Sequence, residues 1–208
     1  MARSLRGFLL PSLVLALLAG CNSKSPPPCP TCADAKLTNK WCEACKVGYV
    51  AGTAIKSKLL FDYLDAHGHE LDLSDAVVTC KVCRAAIKTG GYCDECRRGW
   101  VNRLAYYSRL TYQLARGKSQ DMTAMKCAVC RKNGERCGWC DACKVGMIGH
   151  VAIRNWADFD DGRRGFELMI LGIEILQRCE GCAIAIVTDS LCPFCRIEYR
   201  EGKAVKGA

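Results

Sequence analysis

A small metal-stabilised α+β fold, four tandem β-hairpin modules separated by amphipathic helices, is predicted by three observations. The 208 residues include 18 cysteines against 3 histidines, so sulfur chemistry dominates the chain. Laid over itself at a period near fifty residues, the sequence aligns four segments of pattern C-x2-C-x9-C-x2-C. Apolar residues at helical spacing follow the early copies.

The four segments are "CPTCADAKLTNKWCEAC" (29–45), "CKVCRAAIKTGGYCDEC" (80–96), "CAVCRKNGERCGWCDAC" (127–143) and "CEGCAIAIVTDSLCPFC" (179–195). Nine residues separate the two pairs in every copy, whereas 34, 30 and 35 residues lie between successive copies. A constant inner spacing beside variable outer ones means that each site closes locally. The candidate ligands are therefore Cys29, Cys32, Cys42 and Cys45; Cys80, Cys83, Cys93 and Cys96; Cys127, Cys130, Cys140 and Cys143; and Cys179, Cys182, Cys192 and Cys195. Cys137 has no counterpart in the other copies, and burial as a small apolar residue is its leading reading.

Taken in order, each cysteine segment is too short and loop-like for a helix and suits two knuckles joined by a tight β-hairpin. Trp41, Tyr92 and Trp139 precede the third cysteine, with Leu191 in the last copy, and Lys46, Arg97, Lys144 and Arg196 follow the fourth. The first three copies continue as Gly48-Tyr49-Val50, Gly99-Trp100-Val101 and Gly146-Met147-Ile148, then Ala54, Ala105 and Ala152 at matching offsets. A helical pattern follows through Ile55, Leu59, Leu60, Tyr63 and Leu64 to a stop at Gly68, and through Leu104, Tyr107, Leu110 and Leu114 to a stop at Gly117. "HGHE" (67–70) reads as that first stop with exposed polar residues rather than as a ligand set. The third copy carries the insert "NWADFDDGRRG", whose "DFDDG" misses the EF-hand spacing and reads as an exposed turn, and then a helix from about Phe166 to Gln177. The last copy is a ribbon with a short tail, a terminal cap. The units so drawn span 29–68, 80–117, 127–177 and 179–200.

A C-x2-C hairpin sets two thiolates on one side of a knuckle, and two facing knuckles complete a tetrahedral sulfur site suited to Zn2+. The segments resemble short zinc ribbons of the double-zinc-ribbon type, whose pattern is C-x2-C, about nine or ten residues, an aromatic and a second C-x2-C. The resemblance implies about four zinc ions, one per module, with iron in rubredoxin-like sites the lesser alternative. Disulfides compete, because exported cysteines face an oxidising compartment. Against them stands the repeated i, i+3 pairing at one spacing, which a local four-sulfur site needs and a disulfide framework does not. Modules of about twenty residues are too small to bury a core, and a structural zinc site supplies ~10–16 kcal/mol of apparent binding energy.

The N-terminus places Arg3 and Arg6 before an apolar stretch, Phe8 to Leu18, too short to span a bilayer comfortably, so residues 1–20 read as a secretory signal. Its end, Leu18-Ala19-Gly20-Cys21, resembles the lipobox of bacterial lipoproteins, which implies an acylated Cys21 followed by a Pro-rich tether, 21–28. The expected location is the bacterial cell envelope, lipid-anchored and extracytoplasmic, and Asn22 rather than Asp favours the outer membrane in a Gram-negative cell. "FELMILGIEIL" (166–176), broken by Glu167 and Glu174, is too short for a second span.

Losing the signal lowers the formal charge from +9 to +7, and four tetrathiolate zinc centres would bring it to about −1. The basic residue after each fourth cysteine would offset thiolate charge. A basic isoelectric point then says little about nucleic acid, and none is expected as a partner. No Cys-x-x-Cys is followed by His, which excludes covalent c-type haem. "CPTC" and "CPFC" could pass alone for thioredoxin-like pairs but belong to the larger quartets. With no recognisable catalytic triad, phosphate loop or paired carboxylates, the expectation is a non-enzymatic, membrane-tethered zinc scaffold for a protein partner. The alternatives are a lipoprotein that buffers or delivers zinc or a softer metal, and a thiol-disulfide protein.

Overall fold

The computed structural model describes residues 29–64, 68–70 and 79–205. The signal, Cys21, the tether and His67 lie outside the described residues. The first module runs α1 (Pro30–Thr38), β1 (Trp41–Cys42), β2 (Val47–Val50), β3 (Thr53–Ile55) and α2 (Lys58–Leu64). The second comprises β4 (His69–Glu70), α3 (Lys81–Thr89), β5 (Gly91–Cys93), β6 (Arg98–Val101), β7 (Leu104–Tyr106) and α4 (Arg109–Arg116). The third is β8 (Lys118–Ser119), α5 (Ala128–Gly134), β9 (Cys137–Cys140), β10 (Val145–Ile148), β11 (Val151–Ile153) and α6 (Trp156–Ile175). The last holds α7 (Glu180–Thr188) and the hairpin β12 (Glu198–Arg200), β13 (Lys203–Val205).

The cysteine segments depart from the two-knuckle expectation, because a helix of seven to nine residues fills the space between the pairs. Cys29, Cys80, Cys127 and Cys179 occupy the N-cap positions, and the second cysteine of each pair falls in the first turn. An i, i+3 spacing places two side chains on one helix face as readily as on a knuckle, and the interval of nine residues accommodates a short helix with its stop. Pro30 sits in the first turn of α1, where its missing N–H costs no intrahelical bond. Asn39 and Asp189 close α1 and α7 in the left-handed conformation.

The helices that follow the hairpins start at a repeated cap. Ser57, Ser108 and Asn155 stand at one offset from their last cysteine, and their side-chain oxygens accept from the backbone N–H of Leu60, Thr111 and Asp158. The observed starts correct the predicted ones: Ile55 and Leu104 lie in β3 and β7, and α4 ends at Gly117 as expected. His69 and Glu70 form the strand β4 rather than a simple helix stop.

"DFDDG" is not an exposed turn. It lies in the first half of α6, which begins ten residues before the expected Phe166 and ends at Ile175. Its aspartates hold the helix in place from the polar side: Asp158 pairs with Arg116 at 2.8 Å and Asp161 with Arg109 at 2.8 Å, while Asp160 takes Arg163 and Arg164 from its own helix. The glycines that suggested a loop are contact points. A Cβ on Gly162 would lie 2.8 Å from Ile148, and one on Gly165 2.9 Å from Leu110.

Rather than standing apart as beads, the modules share one apolar core. Val50, Ile55, Leu60, Phe61 and Leu64 from the first meet Leu110 and Leu114 from the second, Ile148, Ile153, Phe159, Phe166 and Met169 from the third, and Ala183 from the fourth. Helix α6 is the centre of this arrangement, packed on α4, α7 and β10. Helix α7 is tied at both ends as well: Ser57 Oγ lies 2.5 Å from Glu180, and Arg97 donates to the carbonyls of Thr188 and Asp189. Among the described residues, no helix is long and apolar enough to cross a membrane.

Sheets also overlap module boundaries. Three-stranded antiparallel meanders follow α1, α3 and α5, but β4 adds itself to β7 (His69 opposite Ala105) and β8 to β11 (Val151 opposite Ser119). The segment after one module's last helix therefore supplies the edge strand of the next module's sheet.

His150, in the turn between β10 and β11, is 6% exposed and hydrogen-bonds the Leu37 carbonyl of the first module. Burial holds its pKa below the ordinary histidine value, with Lys36 adding to the shift. Below about pH 6.5 the unfolded chain takes a proton that the folded chain resists, so stability falls as pH drops through that range. Urea midpoints measured from pH 7.5 to 5.5 are expected to decline less in His150→Gln than in the parent, and parallel declines would contradict the assignment.

Candidate metal centres

The four quartets assemble as the spacing predicts. In each of the four sets named above, all sulfur atoms lie within 4.8 Å of one another. One pair comes from a helix N-terminus and the other from the hairpin knuckle between two strands. Cross-pair separations are 3.9 Å for Cys29–Cys42, 3.7 Å for Cys80–Cys93, 3.8 Å for Cys127–Cys140 and 3.8 Å for Cys179–Cys192. A tetrahedron with metal–sulfur bonds of about 2.3 Å has edges of about 3.8 Å, so the cysteines stand where a zinc-sized ion would need them.

Local backbone prepares the thiolates. The N–H of Cys182 reaches Cys179 Sγ at 3.4 Å, and those of Cys96 and Cys195 reach Cys93 and Cys192 at 3.5 and 3.4 Å. The amide of Cys32 pulls Cys29 down to about 6, and those of Cys83 and Cys130 pull Cys80 and Cys127 to about 7. Burial raises Cys192, yet the amides of Cys195 and Phe194 more than offset it and bring it to about 7. Cys45, Cys96 and Cys195, which share protons with the neighbouring sulfurs, are pushed up to about 12. One sulfur in each quartet is thus the readiest to serve as the first anionic ligand, and a metal ion bound there would displace the remaining protons.

A further donor was missed in the sequence although its offset is constant. The residue four places after the last cysteine is Tyr49, Trp100, Met147 or Tyr199. The Tyr49 and Tyr199 hydroxyls hydrogen-bond Cys32 and Cys182, and the Trp100 indole N–H is directed at Cys83. Trp100 is fully buried and its Nε1 has no hydrogen-bond partner, and an anionic sulfur at Cys83, toward which it is directed, would satisfy it. This orphaned donor favours an anionic sulfur at Cys83, the state that a bound cation maintains.

The residues that follow the two pairs differ in backbone conformation. Ala33, Arg84, Arg131 and Ala183 are helical and need no glycine. Lys46, Arg97, Lys144 and Arg196 do take the left-handed conformation, with φ of 51, 49, 51 and 56°. Three of their side chains have partners other than sulfur: Lys46 pairs with Glu43, Lys144 with Asp141, and Arg97 with the end of α7. Cys137 stands outside the quartet, half-buried on β9 against the shared core, and burial pushes its thiol up to about 11.

No family model, curated protein or solved structure matches the chain. Its own geometry defines a small α+β protein with four tetracysteine groups able to hold metal ions, each beside a small antiparallel sheet.

Proposed function

We propose that the chain is a zinc-binding lipoprotein of the bacterial cell envelope, anchored through Cys21, whose four structural Zn2+ centres support a non-enzymatic scaffold for a protein partner. The observation that carries the zinc reading is the tetrahedral spacing of all four quartets, joined to the buried Trp100 donor directed at Cys83. A scaffold also needs a surface. A cleft of 1340 Å3 between α2, the second module, α6, the end of α7 and the last hairpin is the surface this reading assigns, with Tyr63, Tyr107, Arg164 and Lys203 on its walls.

A second reading, metal buffering or delivery, draws on exposure. Cys45, Cys96, Cys143 and Cys195 are all solvent-exposed, one in each quartet, so an acceptor could reach every site.

Metal analysis of protein isolated from membranes without chelator, with a thiol count after denaturation, tests these readings. Four tightly held zinc ions support the scaffold, and labile, substoichiometric metal supports the buffer. Metal-free protein with paired cysteines would sink both. In the same preparation Cys137→Ser is expected to leave the zinc count unchanged and Cys140→Ser to lower it by one; equal losses would refute the assignment of the quartet.

A further inference from the structure

The third site differs from the other three in its surroundings. Where modules one and four place a Tyr hydroxyl on the second cysteine and module two directs the Trp100 N–H at it, Met147 is fully buried in β10 and has no proton to give. Met122 and Met125 pack with Met147 against Cys130 and Cys140, so three of the chain's five methionines gather at one quartet. The site also has an opening. A cavity of 550 Å3 is bordered by Cys127, Cys130 and Cys143 together with Met125 and Met147.

Methionine as core filler accounts for one buried thioether. It does not account for thioethers and thiols bordering the same space. A hydrogen bond to a thiolate withdraws charge from the sulfur, and Cys130, without the side-chain donor its counterparts have, keeps a softer sulfur. Thiolate and thioether together are the donor set of soft monovalent ions, whereas zinc is borderline.

We propose that the third quartet is a soft-metal position, taking a monovalent copper ion in preference to zinc while the other three quartets retain zinc. This rests on the reading of the quartets as metal centres. The exchange is ligand transfer alone: Cu+ enters through the cavity, the thiolates pass to it, and Zn2+ leaves with no change of oxidation state in either metal.

The test uses the full chain, loaded with zinc, counted, and titrated without oxygen with cuprous ion supplied as its acetonitrile complex. The first zinc is expected to leave well before the others, with alkylation showing the change at Cys127, Cys130, Cys140 and Cys143. Met147→Tyr, which restores the donor found in modules one and four, is expected to weaken the copper preference of that step by about tenfold, the size of one hydrogen bond to a charged acceptor. Release of all four zincs in one phase, a first step at another quartet, or an unchanged step in Met147→Tyr overturns the proposal. Should Met147→Tyr hold fewer than four zincs, Met125→Leu decides: a smaller early step supports the soft site and an unchanged one overturns it. A chain that holds no zinc at the first count instead overturns the metal reading, before copper is added.

Discussion

Stripping the metal with a strong chelator at neutral pH is expected to abolish hydrogen-exchange protection in α1, α3 and α5 while α6 and α7 remain protected. The difference follows from what each helix buries. Helix α1 buries only Ala35, α3 only Cys83 and Ala86, and α5 only Cys130, so two of the three depend on their own ligands for packing. Helices of seven to nine residues are marginal in water without tertiary support. A structural zinc site supplies roughly 10–16 kcal/mol of apparent binding energy, so an ion held at each quartet would be the main support of these three. Helix α7 also begins at a cysteine pair, but Ala183, Ala185 and Ile186 are buried and it packs against α6. Mass-resolved exchange on holo and chelated protein reads the pattern. Uniform loss across the chain, or protection unchanged at α3, would contradict it.

The second large effect concerns a repeated contact of glycine with aromatic rings. Gly48, Gly99 and Gly146 face Phe61, Tyr112 and Phe159 so closely that an added Cβ would lie 2.3, 2.2 and 2.0 Å from the rings. Opposite each glycine on the neighbouring strand stands Trp41, Tyr92 or Trp139, with ring centroids 5.6, 5.4 and 5.5 Å from the same aromatic. Lys58 and Arg109 lie over the Trp41 and Tyr92 rings at 5.5 and 4.2 Å, and Trp156 meets Trp139 edge-on at 4.9 Å. Phe159 is 1% exposed and belongs to the shared core, so its ring cannot retreat into solvent. Gly146→Ala is expected to destabilise the protein by about 1–3 kcal/mol through overpacking, and Phe159→Ala by about 3–5 kcal/mol through the cavity it leaves. The double variant should cost clearly less than the sum, because the added methyl then enters the vacated space. Additive costs in denaturant titrations would show that the two side chains do not meet.

These contacts also mark how far the sequence could be read. The quartets were legible because a locally closed site leaves its spacing in the chain, and every one of the sixteen cysteines lies in its expected set. The helix inside each segment was not, since i, i+3 cysteines satisfy a knuckle and a helix turn equally. Each glycine was visible as a repeat, but its cause was not. Phe61, Tyr112 and Phe159 recur at a constant offset, yet the reason for the match is a contact between a strand and a later helix. The fourth module supports this account: Glu198 stands where the glycine would be, Leu191 opposite it is exposed, and no amphipathic helix follows among the described residues. The start of α6 was obscured because aspartates and glycines are typical of turns, and only the arginines of α4 and the close approach of Leu110 and Ile148 make them helical here. Packing of the four units into one core has no periodic signature at all.

The forward donation of β4 and β8 gives the molecule a direction. A free sheet edge invites pairing with other chains, and a multi-unit chain is most exposed to that hazard while it is incomplete. Here β7 and β11 meet edge partners that precede them in the sequence, so as the chain is made from its N-terminus the closing strand of each sheet is already available when the meander forms. Reordering the units, or cutting between β4 and α3 or between β8 and α5, would leave an orphan strand on one fragment and an open edge on the other. Synthesis order is thus built into the hydrogen-bond pattern, and the boundaries marked by the cysteines are not places where the protein can be divided.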